Sequence, residues 1–277
     1  MAKKALCIGI NNYPGTDMDL QGCVNDATDW AGVLAERGFK VASLLDDQAT
    51  KAAMLKAMGE LIAKASKGDT LVITFSGHGT YQPDTDGDEV DGLDEALCPY
   101  DLQTNGEALT DDEIRNLFLT RKAGVRIVLI SDSCHSGTVT RAAKAEKDAD
   151  SRPRFMPMGN WLPDKLLPKN RSGKVAATMS GPAGTSPLVA AYSNKLGDLL
   201  LSGCKEGPNN FSYDARIKGR FNGAFTYYAL KALKAMKPGA TYAEWHKAIT
   251  KYLPSASYPQ SPQIVGSATA RKGKIFE

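Results

Sequence analysis

Few residues of this chain could carry nucleophilic chemistry: there are five cysteines and three histidines in 277 residues. Cys134 and His78 differ from the others because each comes shortly after an apolar run and stands among glycines and small polar residues. A cysteine attacks as its thiolate, which at neutral pH needs a neighbouring base such as histidine. The sequence therefore predicts a Cys–His pair that could attack a carbonyl carbon.

The two apolar runs, 70–75 and 125–130, predict buried strands of a parallel sheet. Further strands are predicted at 5–10, 40–45 and 187–192, and amphipathic helices alternate with the strands, which is typical of an α/β domain. Ligands bind beyond the carboxyl ends of parallel strands. We therefore expect His78 and Cys134 to lie close together at one edge of the sheet.

The remaining thiols and imidazoles have simpler interpretations. His135 directly follows Cys134 and would project away from it, so His78 is the preferred base. Cys7, Cys98 and Cys204 are typical of buried packing residues. His246, which falls in an amphipathic helix predicted at 242–253, is expected to be structural.

Composition excludes several classes of protein. Lys and Arg number 34 against 31 Asp and Glu, a balance too even to predict a nucleic-acid partner. An odd cysteine count without CxxC spacing argues against a disulfide framework or a zinc site. With no targeting segment and no apolar run of about 18 residues, we expect a soluble cytoplasmic protein without a membrane partner.

The chain is predicted to form a single domain in three parts. Residues 1–138 form a larger part with both reactive residues, and residues 186–277 form a smaller part. Between them, residues 139–185 are rich in basic residues, Pro, Gly and Ser, which predicts an irregular linker that a peptidase could reach.

The segments FSGHGT around His78 and DSCHSG around Cys134 resemble the histidine and cysteine motifs of caspase-like peptidases, in the metacaspase and prokaryotic orthocaspase branch. ALCIGINNY and GCVNDA resemble the same family. The resemblance implies a three-layer α/β/α sandwich with a mainly parallel sheet of about six strands. It implies a monomeric cysteine endopeptidase in which Cys134 is the nucleophile, His78 the base, and the N–H groups of Gly79 and Cys134 the oxyanion hole.

The resemblance also implies cleavage after Arg or Lys, with Asp26, Asp132 and Ser76 binding the substrate. The residues support this for Asp132, because side chains two positions apart share a face in an extended chain, and a carboxylate beside the nucleophile would pair with a guanidinium. Asp26 alone is equally typical of a helix N-terminus, where the macrodipole favours a negative charge.

No cofactor is expected to be required. The acidic loop at 84–95 has Glu89 where a calcium-binding EF-hand needs glycine, so it is interpreted as a solvated turn. The resemblance implies a different calcium site at Asp94, Asp111 and Asp112, with calcium as an activator. Arg141 stands where the family has a further Asp, which opposes metal binding.

Self-processing is expected in the linker. Its candidate basic residues are Arg141, Lys144, Arg152, Lys165, Arg171 and Lys174. Substrate peptides are expected to add as an extended strand near residues 191–193.

Two other functions remain open. One is a catalytically silent caspase-like scaffold that binds peptides or proteins, which the presence of both Cys134 and His78 disfavours. The other is a nucleotide-binding α/β domain, disfavoured because no glycine-rich phosphate loop follows the first strand.

Overall fold

A computed structural model describes residues 1–83, 93–134, 150–167, 198–205 and 210–277. The strands are β1 (Lys3–Gly9), β2 (Lys40–Leu45), β3 (Thr70–Ser76), β4 (Gly79–Pro83), β5 (Leu93–Leu97), β6 (Leu109–Thr110), β7 (Arg126–Asp132), β8 (Ser151–Pro153), β9 (Leu199–Ser202), β10 (Tyr213–Ile217), β11 (Arg220–Gly223) and β12 (Gln263–Gly266). The α-helices are α1 (Cys23–Glu36), α2 (Lys51–Ala63), α3 (Leu102–Asn105), α4 (Asp111–Leu119), α5 (Ala224–Lys234), α6 (Tyr242–Ile249) and α7 (Ala268–Arg271).

A six-stranded sheet in the order β12-β9-β7-β3-β1-β2 forms the centre of the molecule. Its strands are parallel except β12, which pairs antiparallel with β9. The four strands predicted in residues 1–138 correspond to β1, β2, β3 and β7. The strand predicted at 187–192 lies outside the described residues, and β9 is the strand beside β7.

Helices cover both faces of this sheet, so the predicted three-layer α/β/α sandwich is confirmed. Along β1, Leu6 and Ile8 point into one apolar core, whereas Ala5 and Cys7 point into the other. This alternation is the two-residue period of a strand that is buried on both faces. Buried residues of α2 and α4 complete the first core, and those of α1, α5 and α6 complete the second.

The segment 150–167 differs from the irregular linker predicted over 139–185. Its first part contains β8, which pairs antiparallel with β10, and its second part contains two short 3-10 turns. Met156, Trp161 and Leu162 are buried in the first core. These large apolar side chains, scattered among prolines and charged residues, fold the segment onto the domain, although they form no regular period.

In the part of the chain that the structure describes, no helix is long and apolar enough to cross a membrane.

Candidate active site

The ends of β3 and β7 bring the two predicted reactive residues to one edge of the sheet. The strands are adjacent and in register to their last residues, where Ser76 lies opposite Asp132. His78 and Cys134 each follow two residues later, and both are almost fully buried. The parallel pairing of two apolar runs therefore explains why residues 56 positions apart in sequence meet at one site.

A buried pocket of three carboxylates lies at the same edge and holds the guanidinium of Arg154. Nη2 of Arg154 lies 2.7 Å from Oδ2 of Asp26 and 2.9 Å from Oδ1 of Asp214. Nη1 lies 3.3 Å from Oδ2 of Asp132 and donates a 2.6 Å hydrogen bond to Oγ of Ser76. We call these residues, Asp26, Asp132, Asp214 and Ser76, the acidic pocket.

Backbone and hydroxyl donors hold each carboxylate of the acidic pocket. Asp132, at the end of β7, accepts hydrogen bonds from N and Oγ1 of Thr226 at the start of α5. Asp214, on β10, accepts from the backbone N–H groups of residues 21 and 22, which precede α1. Asp26, in the first turn of α1, accepts from Ser76 Oγ and from the N–H of Gly223.

The pocket holds more negative than positive charge. Three carboxylates face one guanidinium, and all four groups are buried. Burial raises the pKa of Asp26 to about 6, an effect that Arg154 opposes and Asp132 adds to. The arrangement is therefore built for a cation, since removing Arg154 without a replacement would leave like charges together in a desolvated site.

The backbone of Arg154 is hydrogen-bonded to residues just beyond the ends of the strands that precede His78 and Cys134. Its carbonyl oxygen accepts hydrogen bonds from the N–H groups of Gly79 and Cys134, each 3.1 Å long. Its own N–H donates to the carbonyl oxygen of Ser212 at 2.8 Å. The N–H of Met156, two residues later, donates to the carbonyl oxygen of Gly79 at 2.8 Å. The segment thus runs in an extended form past both reactive residues.

The imidazole of His78 is oriented by a backbone carbonyl. Its Nε2 lies 2.6 Å from the carbonyl oxygen of Met18, which can only accept, so Nε2 carries the proton in the neutral ring. Its Nδ1 is buried and has no hydrogen-bond partner among the described residues. Burial lowers the pKa of His78 to about 4, which favours the neutral ring. Nδ1 therefore carries the lone pair of the neutral ring, where a proton could be accepted.

The thiol of Cys134 contacts Ser212 and Cys204. It accepts from the N–H of Ser212, lies 3.7 Å from the Ser212 carbonyl oxygen and 3.5 Å from Sγ of Cys204. His78 is not among its hydrogen-bond partners in the described chain. Burial raises the pKa of the Cys134 thiol well above its ordinary value, and Cys204 raises it further. The Cys134 thiol is therefore neutral in this state.

The other candidate residues are not among the described residues of the site. His135, the acidic loop at 84–92 and residues 191–193 fall outside the described residues. His246 lies on α6, and its Nε2 is hydrogen-bonded to the carbonyl oxygen of Pro262 rather than to a residue of the acidic pocket.

The predicted calcium ligands lie on β5 and at the start of α4, where the first-turn acids Asp111 and Asp112 suit the helix N-terminus. Among the described residues, no group of three or more His, Cys, Asp or Glu side chains has an arrangement that could hold a metal ion. We therefore derive no step of the chemistry through calcium.

Four contributors to the site were not predicted: Arg154, Asp214, Cys204 and Gly223. A Cβ on Gly223 would collide with the Asp132 carboxylate and the Arg154 guanidinium, so glycine keeps the pocket open. The alternating pattern Tyr-Asp-Ala-Arg-Ile at 213–217 is a strand signal that could have indicated Asp214. Cys204 is buried, as predicted for a packing residue, and its thiol also contacts that of Cys134.

Comparisons with known proteins point in one direction. A family model described as metacaspase, peptidase C14 domain, matches residues 3–143. Metacaspase-1B of Aspergillus oryzae is 32% identical over 95% of this chain and 67% of its own length. Metacaspase-1 of Cryptococcus neoformans is 33% identical over 96% of this chain and 62% of its own length. A crystal structure of a Geobacter sulfurreducens protein, 31% identical, has a TM-score of 0.71 and covers 100% of this chain and 98% of its own.

Proposed function

The chain belongs to the metacaspase family of peptidase C14 domains, and from this premise we propose that it is an endopeptidase that cleaves after Arg or Lys. The family makes it a caspase-like cysteine peptidase, which is a hydrolase that acts on peptides or proteins. To this we add a Cys134–His78 dyad, a preference for basic residues and self-processing of the chain.

One observation carries the proposal: Arg154 has its side chain in the acidic pocket and its carbonyl oxygen on two N–H groups beside Cys134. Such N–H groups would stabilise the oxyanion that forms when a nucleophile attacks this carbonyl carbon. The carboxylates would bind guanidinium through several charge-assisted hydrogen bonds and would repel an acidic residue. A Lys ammonium carries the same charge as a more compact group.

In the proposed reaction, the Cys134 thiol transfers its proton to Nδ1 of His78, and the sulfur attacks the carbonyl carbon of the basic residue. The developing oxyanion accepts from the N–H groups of Gly79 and Cys134. The C–N bond then breaks as His78 protonates the leaving amine, and water hydrolyses the resulting thioester. Because the Cys134 thiol contacts Ser212 and Cys204 in the described state, the side chain must rotate towards His78 first.

We propose the Arg154–Phe155 bond as a self-processing site, since its carbonyl group already lies on the proposed oxyanion donors. Two of the bonds predicted from sequence follow Arg152 and Lys165, whose side chains are exposed and whose carbonyl oxygens are not among the described hydrogen-bond partners of those donors. The other four, after Arg141, Lys144, Arg171 and Lys174, lie outside the described residues.

Fluorogenic tetrapeptides copied from residues 151–154, Ser-Arg-Pro-Arg, test the preference against the same peptide ending in Lys or Asp. We expect turnover of the Arg and Lys peptides and none by Cys134→Ala. Equal cleavage of the Asp peptide would make the basic preference wrong. No turnover of any peptide by a chain with an unmodified Cys134 would favour the silent peptide-binding scaffold.

Intact mass tests self-processing. The wild type is expected to yield fragments 1–154 and 155–277, and Arg154→Gln should not yield this pair. Arg152→Gln is the matched control, because the same change two residues earlier leaves the pocket residue in place. A wild type that stays uncut under conditions in which it cleaves the tetrapeptide would contradict the proposal.

Three further properties are proposed. A monomer is supported because the pocket, both N–H donors and Arg154 come from one chain; light scattering on the protein as it elutes from a sizing column tests it.

A reducing cytoplasmic location is supported by five free, buried thiols, and cell fractionation tests it. Calcium is proposed only as an activator, and tetrapeptide turnover with and without a chelator decides its role.

A further inference from the structure

A second thiol lies against the proposed nucleophile. Sγ of Cys204 is 3.5 Å from Sγ of Cys134, which is van der Waals contact between two sulfur atoms. Cys204 also lies 3.6 Å from the carbonyl oxygen of Ser133. The proposed mechanism uses Cys134 and has no role for Cys204, and the packing of an apolar cluster does not by itself require two thiols in contact.

The fold brings these thiols together through adjacent parallel strands. In β7 and β9, Ser131 lies opposite Ser202, and the N–H of Gly203 donates to the Ser131 carbonyl oxygen at 2.8 Å. Cys134 and Cys204 follow shortly after these residues, where the backbone leaves the same edge of the sheet at the end of each strand. Neighbouring strands are about 4.8 Å apart, a separation that suits a bond between side chains at their ends.

We propose that Cys134 and Cys204 form a reversible disulfide that switches the peptidase off in the presence of a hydroperoxide. The proposal rests on the proposed function only in making Cys134 the nucleophile. The sulfur atoms must approach from 3.5 Å to about 2.05 Å, which side-chain rotation can provide. The disulfide would remove the attacking thiol and hold the Cys134 side chain away from His78.

The oxidation balances with hydrogen peroxide as the oxidant. The Cys134 thiolate attacks one peroxide oxygen, the O–O bond breaks, and the sulfur becomes a sulfenic acid while the other oxygen leaves as hydroxide and is protonated to water. The Cys204 thiolate then attacks the Cys134 sulfur, the S–O bond breaks, and the hydroxyl leaves as a second water. Two thiols lose two electrons and one peroxide gains them; a dithiol reverses the reaction by exchange.

The segment carrying Arg154 protects the pair. In the described state Cys134 is fully buried and Cys204 nearly so, and both share an apolar cluster with Phe155. A neutral buried thiol reacts slowly with peroxide. The pair should therefore oxidise faster once the segment leaves the site, so that the active form is the sensitive one.

Peptide mapping without reduction tests the bond directly. The folded, full-length chain is treated with hydrogen peroxide, its remaining thiols are alkylated, and trypsin releases Cys134 in residues 127–141 and Cys204 in residues 196–205. We expect these two peptides to be linked, the link to disappear with dithiothreitol, and tetrapeptide turnover to return with it. Oxidised Cys134 without the linked pair would overturn the proposal.

Matched variants separate this pair from general thiol damage. Cys204→Ser should give no linked peptide, and dithiothreitol should restore several-fold less activity after peroxide because Cys134 oxidises past the sulfenic acid. Cys98→Ser, a buried thiol of the first core, should behave as wild type. Equal recovery by Cys204→Ser and wild type would contradict the switch. Because the linked peptide is read without any activity, it stands or fails apart from the peptidase proposal.

Discussion

The acidic pocket and the reactive residues occupy one edge of one sheet, yet they are in opposite conditions. In the pocket, every carboxylate accepts hydrogen bonds and pairs with the guanidinium of Arg154. On the reactive side, Nδ1 of His78 has no described partner, and the Cys134 thiol is neutral. Under the proposed function, the groups that bind the basic side chain are therefore all paired, whereas the Cys134 thiol and His78 are not yet in their reactive arrangement.

The two sides should also respond differently to substitution. Loss of a group that moves a proton lowers the rate of the chemical step, whereas loss of a group that binds the substrate's charge weakens binding in the ground state and the transition state alike. Kinetics can therefore test the comparison by separating kcat from KM.

The largest effect is expected from His78→Gln. Without a base for the thiol and an acid for the leaving amine, kcat for the Ser-Arg-Pro-Arg peptide should fall about 1000-fold. KM should change little, since His78 is not among the groups that pair with the Arg154 guanidinium. A variant that lost activity mainly through a higher KM would show that His78 belongs to the binding side.

A smaller loss is expected from Asp132→Asn, which keeps the shape of the pocket but removes one charge. The value of kcat/KM for the Arg peptide should fall about 100-fold, as when one partner of a buried ion pair is neutralised. The matched control is Asp29→Asn, whose carboxylate pairs with Arg220 outside the pocket and should change kcat/KM less than twofold. An unchanged Arg preference in Asp132→Asn would mean that this carboxylate does not bind the basic side chain of the substrate.

Arg154→Gln should act in the opposite direction. Under the proposed function, the wild type must release Arg154 before it can bind a substrate, so only the open fraction of molecules is competent. The neutral side chain should lower the apparent KM for the Arg peptide about tenfold, measured at early times in protein that is still uncut. A KM equal to that of the wild type would mean that the internal segment does not compete.

The smallest effect concerns pH and stability. His78 has its pKa lowered to about 4, so the unfolded chain binds more protons between about pH 4 and 6.5, and this group makes stability rise with pH there. Asp26 has its pKa raised to about 6, so the folded chain binds more protons and this group makes stability fall over the same range. The two slopes oppose each other in the wild type.

Removing either group should expose the slope of the other. Between pH 4.5 and 6.5, the Tm of Asp26→Asn should rise by a few degrees relative to wild type, and the Tm of His78→Gln should fall by a similar amount. Asp198, with its pKa raised to about 7 by burial, contributes alike to all three proteins and cancels in the differences. Parallel Tm curves would contradict the pKa assignments.

Local pattern predicted the part of the site that local structure makes. The apolar runs of β3 and β7 indicated which strand ends would carry His78 and Cys134, and the extended chain placed Asp132 beside them. For Asp214 the local pattern indicates only that it lies on a strand, because the N–H groups that hold its carboxylate in the pocket are about 190 residues earlier in the chain. Its role depends on how separate elements pack.

The burial of Arg154 could not be predicted from the sequence for a related reason. Its neighbours are basic residues, Ser and Pro, a composition typical of exposed chain, and its burial depends on the pairing of β8 with β10. That pairing joins residues about 60 positions apart, so no short window of sequence contains it. The anchors Met156 and Trp161 also lack a helical or strand period, although they fill the core of the domain.

Arg154 is held on both sides: the anchors follow it in the chain, and the pairing of β8 with β10 precedes it. The covalent link on the Phe155 side ends in residues packed into the first core, so it keeps the guanidinium at a high effective concentration over the pocket. Cleavage after Arg154 would cut this short tether while leaving the anchors in place. Arg154 would then be a ligand on the end of a tail held from one side only, and substrates in solution could compete with it without any change in the pocket itself.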